Sequence, residues 1–356
     1  MWHQTKVTEI LGIRYPILQG PFGGNLSSTQ LVAAVSEAGG LGGYGVYTNT
    51  PQEIADIDKQ IRNATNKPYN LNLWVSDTDA TEGTDSQYKQ AVQLFGPYFE
   101  ELGLPIPPKP EPYLSRFENQ LQTILDIQPR VFSYMFGKLT ADIIAECHRK
   151  NIITIGTATT LDEALALEAT GTDLIIASGF EAGGHRPSFL DNAATSATGT
   201  FVLVQLIREK VKTPVIAAGG IATGAGIKAA MTLGAEAVQI GTAFLACEES
   251  NALPLHREML FSEKAKYTTL TRAFSGRLGR GISNRISAAT IGKEDQILPF
   301  PLQRQFMSSL RKGAIDKQKW DMLFFWGGQI APILKHRKAA VLMEALIKEA
   351  TALFTT

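Results

Sequence analysis

Residues 152–178 read IITIGTATTLDEALALEATGTDLIIAS. The two ends, IITIGT (152–157) and DLIIAS (173–178), are apolar on both faces of an extended chain, as strands covered from both sides must be. Between them, Thr160 is placed to cap a helix whose first turn carries Asp162 and Glu163. Gly171 follows the helical run, where a left-handed stop is expected. Strand, helix and strand in this order make a parallel pair joined by a helical crossover.

The same alternation runs along the chain. YPILQG (15–20), LGGYGV (41–46), YNLNLWV (69–75), RVFSYMF (130–136), PVIAAGG (214–220) and AVQIGT (237–242) bring the strands to eight. Helical composition fills 28–38, 51–65, 139–150, 199–211 and 224–233, and Gly234 supplies another stop. Eight strands alternating with helices predict a closed (β/α)8 TIM barrel, with an open doubly wound sheet as the rival. The reading makes residues 1–356 one barrel domain with two insertions. One covers 77–128 and holds the proline-rich GLPIPPKPEPY (103–113); the other covers 245–330. Both follow strands, so both are expected on the C-terminal face, the second as a lid or substrate subdomain. HRKAAVLMEALIKEATALF (336–354) reads as an amphipathic closing helix.

Composition narrows the functions. Thirty-four basic and 34 acidic residues leave no basic excess for nucleic acid or a membrane surface. Two cysteines, Cys147 and Cys247, stand without metal-ligand spacing, which fits a reducing, cytoplasmic setting and no metal site. No G-x-S-x-G, H-E-x-x-H or P-loop pattern is present. The proline-rich stretch is a candidate interface for a homodimer.

Glycines gather where strands end: QGPFGG (19–24), SGFEAGG (178–184), AAGGIATGAG (217–226) and QIGT (239–242). In a barrel these places converge on one mouth. The last two follow the seventh and eighth strands, where barrels commonly bind phosphate. Backbone N–H groups of Gly219, Gly220, Gly241 and Thr242 could cradle one, aided by a helix starting at Gly224. The alternative is tight turns alone. Gly40–Gly45 satisfies G-x-G-x-x-G but lies inside a predicted strand, the wrong context for a dinucleotide fingerprint. The four arginines of RAFSGRLGRGISNR (272–285) read as a solvated loop or an anion site.

Of five histidines, His3, His148, His256 and His336 fall in a terminus or in charged helical contexts and read as surface residues. His185 follows the sixth strand among glycines. At the barrel mouth it could accept and return a proton near neutral pH, or could simply satisfy loop carbonyls.

FEAGGHRP (180–187), with QGPFGG before it and PVIAAGGI and QIGTAF after it, resembles the nitronate monooxygenase (2-nitropropane dioxygenase) family. NLNLW (70–74), TRAFSGRLGRGISN (271–284) and WGGQ (326–329) extend the resemblance over most of the chain. It implies an FMN-dependent barrel. Gly20, Pro21 and Phe22 would contact the isoalloxazine, Phe22 standing where many relatives carry methionine. Asn72 would bond the flavin or its ribityl chain, with Ser178 where many relatives have glutamine. Gly183 would approach the cofactor, and Gly219, Gly220, Gln239, Ile240, Gly241 and Thr242 would hold its phosphate end. His185 would be the base in oxidation of alkyl nitronates or nitroalkanes by O2 to carbonyl compounds and nitrite. Arg186, Lys138 and Gln329 are candidate donors to the nitro oxygens. The same motif occurs in NAD(P)H-dependent flavin reductases of quinones and enoyl thioesters, the alternative activity. A barrel binding a phosphorylated ligand without redox chemistry is a third reading.

Overall fold

The computed structural model describes residues 1–75 and 79–355. The first two positions of the expected insertion at 77–128 lie outside them. Eight parallel strands form the centre: β1 (Ile17–Gln19), β2 (Gly42–Gly45), β3 (Tyr69–Trp74), β4 (Val131–Met135), β5 (Ile153–Ala158), β6 (Leu174–Ser178), β8 (Val215–Ala218) and β9 (Ala237–Ile240). Their order is β1-β9-β8-β6-β5-β4-β3-β2, and parallel bridges Leu18–Leu41 and Phe22–Tyr44 join the two ends. The ring is therefore a TIM barrel, and the open sheet is excluded.

Local signals behave as the physics requires. Thr160 Oγ1 accepts from the Glu163 N–H at the start of the helix Leu161–Ala169. Gly171 and Gly234 both take positive φ after helical runs. Inside the barrel, Leu18, Ile155, Ile176 and Ile216 pack together, with Val7 and Leu11 of the N-terminal helix Lys6–Leu11 packed against them. The closing helix Ala339–Thr355 packs on the helices Gly224–Thr232 and Thr29–Glu37, completing the outer layer.

Two features differ from expectation. Helix Phe117–Ile127 packs on β3 and on helix Pro51–Ala64, so it is the barrel helix preceding β4 rather than insertion. A second, antiparallel sheet also exists. It runs β10 (Thr268–Thr271), β11 (Gly279–Ile282), β7 (Gly184–His185), so the second insertion grips the loop after β6.

The insertions share one core. Phe95 and Phe99, from helix Asp85–Glu101, pack with Leu260, Ile282, Phe306 and Leu310 from the later segment. Phe306 lies 5.4 Å from Phe99, ring centre to ring centre. Segments remote in sequence thus build a single apolar cap.

Candidate active site

A cavity of about 650 Å³ opens at the C-terminal ends of the barrel strands, beneath the cap. Its floor is backbone from the glycine-rich turns. Gly20, Pro21, Phe22, Ser178, Gly183, Gly219, Gly220, Gln239, Gly241 and Thr242 all line it, as does His185. Asn72 and Ile240 do not. Ile240 is core, and its carbonyl accepts the Gly20 N–H. Asn72 is buried in the barrel, donating to Ser133 Oγ at 2.9 Å, while its Oδ1 has no partner among the described residues.

Gly219 and Gly220 take consecutive φ values of +103° and +72°, backbone that other residues rarely adopt. This conformation turns successive N–H groups toward one side, the arrangement that binds anions. Among the described residues, the N–H groups of Gly219, Gly220 and Gly241 donate to no protein acceptor. Unpaired donors on a cavity wall suit a phosphate. At the start of the helix Gly224–Thr232, the Gly224 N–H donates to Glu349 and the Gly226 N–H to the Thr223 hydroxyl, and Gly224 lies off the cavity. A Cβ at Gly183 would sit 2.4 Å from the Gly328 backbone nitrogen. The glycine lets the Trp326–Gly328 segment close against the β6 loop. The Phe22 ring edge comes within 3.7 Å of where a Gly20 Cβ would lie, so an aromatic side wall stands beside that floor.

β7 holds His185 opposite Gly279 of β11. Its Nε2 lies 2.8 Å from Ser275 Oγ, which also accepts the Arg277 N–H and donates to the Arg277 carbonyl. Trp326 and Trp74 flank the imidazole at 4.6 and 5.1 Å between ring centres. Burial among these rings pushes the His185 pKa down to about 3, and the positive charges of Arg277 and Arg304 push in the same direction. The ring is therefore neutral at physiological pH.

Three sequence readings are corrected here. Arg280 is buried and the Arg277 side chain is only 12% exposed, so neither is a freely solvated loop residue. Arg277 pairs with Asp79 and lies 3.9 Å over the Phe136 ring, while Arg280 bonds the Phe180 carbonyl and Thr268. His256 is buried too, 2.8 Å from the Trp326 carbonyl, with burial lowering its pKa to about 4. It lines the cavity. Of the three suggested donors, none does. Arg186 is buried and holds the Ser178 and Ser196 carbonyls; Lys138 and Gln329 are exposed.

Ser275, Trp74, Trp326, Arg304 and Arg311 are cavity residues or their supports that sequence reasoning did not single out. Only the FSG, NLNLW and WGGQ stretches carried a signal for the first three.

The match to the nitronate monooxygenase family model runs from residue 4 to 349. The chain belongs to this family. Its members are flavin-dependent oxidoreductases acting on small molecules with O2, and the chain is an enzyme of that kind. Probable nitronate monooxygenases of Staphylococcus aureus, strains Newman and MRSA252 among them, are 38% identical over 351 residues, 98% of each chain. The nitroalkane oxidase of Streptomyces ansochromogenes superposes with a TM-score of 0.89 at 32% identity, covering 98% of this chain and 99% of that one. FabK of Thermotoga maritima superposes with a TM-score of 0.76 at 26% identity, covering 99% and 97%. Among the described residues, no helix is long and apolar enough to cross a membrane.

Proposed function

We propose that the cavity binds FMN and that the chain oxidises alkyl nitronates or nitroalkanes, with His185 as the proton-accepting group. The observation that carries this reading is the pairing, on one cavity, of unengaged glycine N–H groups with a neutral histidine. The N–H groups of Gly219, Gly220 and Gly241 would hold the phosphate, with Gln239 and Thr242 beside them. Gly20, Pro21, Phe22, Ser178 and Gly183 would hold the ring system. Bound FMN supplies the electron transfer to O2 that no side chain can provide.

The protein's own part is proton transfer and electrostatics. With the Ser275 hydroxyl proton on the Arg277 carbonyl, Nε2 of His185 is the protonated nitrogen and Nδ1 keeps its lone pair. That lone pair takes the α-proton of a nitroalkane. The positive charge of Arg277 favours the nitronate anion as it forms. That anion in turn offsets the charges holding the imidazole neutral, so the base strengthens as the proton moves. Trp74, Trp326 and Phe300 exclude water from the step.

An anaerobic titration tests the reading. Propionate 3-nitronate should bleach the flavin, and NADH or NADPH should not. Bleaching by the pyridine nucleotide alone would replace this reading with the reductase.

A further inference from the structure

The cavity is larger than the glycine floor and His185 require. Beyond Trp326 its wall continues through Phe324, 4.9 Å away between ring centres, to Phe274, stacked on Phe324 at 4.7 Å. Met307, Leu310 and Met322 of the cap extend this apolar surface. A small nitroalkane would leave most of it uncovered.

Two arginines interrupt it. Arg304, Met307, Ser308 and Arg311 line the cavity at helical spacings of three and four, so one face of the cap helices looks inward. Neither guanidinium pairs with an acid or makes a hydrogen bond among the described residues, although 14 other ion pairs form. The two charges oppose each other: burial and the neighbouring Arg304 both lower the Arg311 pKa. Among the described residues the one acid on the wall, Glu181, is already taken by the Thr200 N–H and hydroxyl. Both residues are exposed where they line the cavity, so an anion entering there meets two guanidinium groups with no protein partner among the described residues.

We propose that Arg304 and Arg311 form an anion-binding subsite at the capped end of the cavity, and that the substrate is an amphipathic acid. Its nitronate carbon is carried on an apolar body of several carbons that ends in a carboxylate or phosphate group. The nitronate end of this description rests on the function proposed above; the anion subsite does not. The anion would lie between the arginines, and the apolar body along Met307 and the Phe324–Trp326 wall.

The test compares the nitronates of 8-nitrooctanoate and 1-nitrooctane with the holoenzyme at low ionic strength. The acid should be favoured in kcat/KM by about tenfold or more, the size of one or two charged hydrogen bonds. In R304Q/R311Q the ratio should fall to within about threefold, while R304K/R311K, which keeps both charges, should retain a preference. Equal kcat/KM values in the wild type, or an unchanged ratio in R304Q/R311Q, would overturn the subsite. A second readout needs no turnover: quenching of tryptophan fluorescence by octanoate, octyl phosphate, inorganic phosphate and 1-octanol. Octanoate or octyl phosphate should bind at least about tenfold more weakly to R304Q/R311Q than to wild type. The tighter of the two names the anion. Arginine-dependent binding without turnover of either nitronate would leave the subsite standing and remove the proposed reaction. Turnover of both nitronates without binding of either acid would do the reverse.

Discussion

His185 and Ser275 meet across the cavity wall at 2.8 Å, although 90 residues separate them in the chain. The serine belongs to the cap, and the histidine to the loop after β6. The proposed base is therefore oriented by the insertion, not by the barrel that carries it.

Ser275→Ala should lower kcat on a neutral nitroalkane by about 10- to 100-fold, the usual effect of removing a group that orients a reactive imidazole. The flavin should remain bound. The pH profile of kcat should shift, since the ring loses the contact that fixes its proton, and Ser275→Thr should restore most of the rate. An unchanged profile would show that Ser275 only packs.

His185→Asn should retain flavin absorbance yet lose about 10²-fold or more of its activity on a nitroalkane. On a preformed nitronate the loss should be smaller, because no proton has to be removed. Steady-state rates on the two forms of one compound decide the matter. Equal rates for variant and wild type on the nitroalkane would remove His185 from the reaction.

Gly219→Ala places a Cβ 2.9 Å from Thr200 Oγ1 on backbone with φ of +103°. FMN affinity should fall by about tenfold or more through strain of roughly 1–3 kcal/mol in the turn. Fluorescence titration of the apoprotein with FMN measures it.

Acid should destabilise the protein earlier than its carboxylates alone would. His185 and His256 are held neutral, with pKa values lowered to about 3 and about 4. Their contribution is complete above the unfolded value of about 6.5 and is lost as pH falls toward the folded values. Between roughly pH 6 and 4 the unfolded chain binds up to two more protons, a slope near 2.7 kcal/mol per pH unit. His256→Gln keeps a donor for the Trp326 carbonyl and should halve that slope. Urea unfolding at several pH values checks this.

Phe306→Ala should destabilise the fold by about 3–5 kcal/mol, since the ring is fully buried between the two insertions. A loss below about 1 kcal/mol in denaturant unfolding would mean that the cap does not depend on their contact.

The eight barrel strands were legible because each is covered on both faces, and continuous apolar runs announce that condition. IITIGT and DLIIAS needed no tertiary knowledge. β7 was not legible: two residues, Gly184 and His185, become a strand only because β11 arrives beside them. Helix Phe117–Ile127 was hidden behind a proline-rich loop and assigned to the wrong unit. Arg277 and His256 looked like surface residues because their partners, Asp79, Phe136 and the Trp326 carbonyl, lie far away in sequence. Within the candidate site, glycine spacing revealed the floor, which is backbone. The walls come from the cap, whose side chains carry no periodic signal.

The shared core of the two insertions also orders events during synthesis. Phe95 and Phe99 leave the ribosome some 200 residues before their partner Phe306. Until then the barrel has grown around an unroofed mouth, with an amphipathic helix waiting uncovered. A nascent chain stalled near residue 300 should bind chaperones through Phe95 and Phe99, and one released past residue 326 should not. The same late closure means that a flavin can meet the open floor before the roof is set.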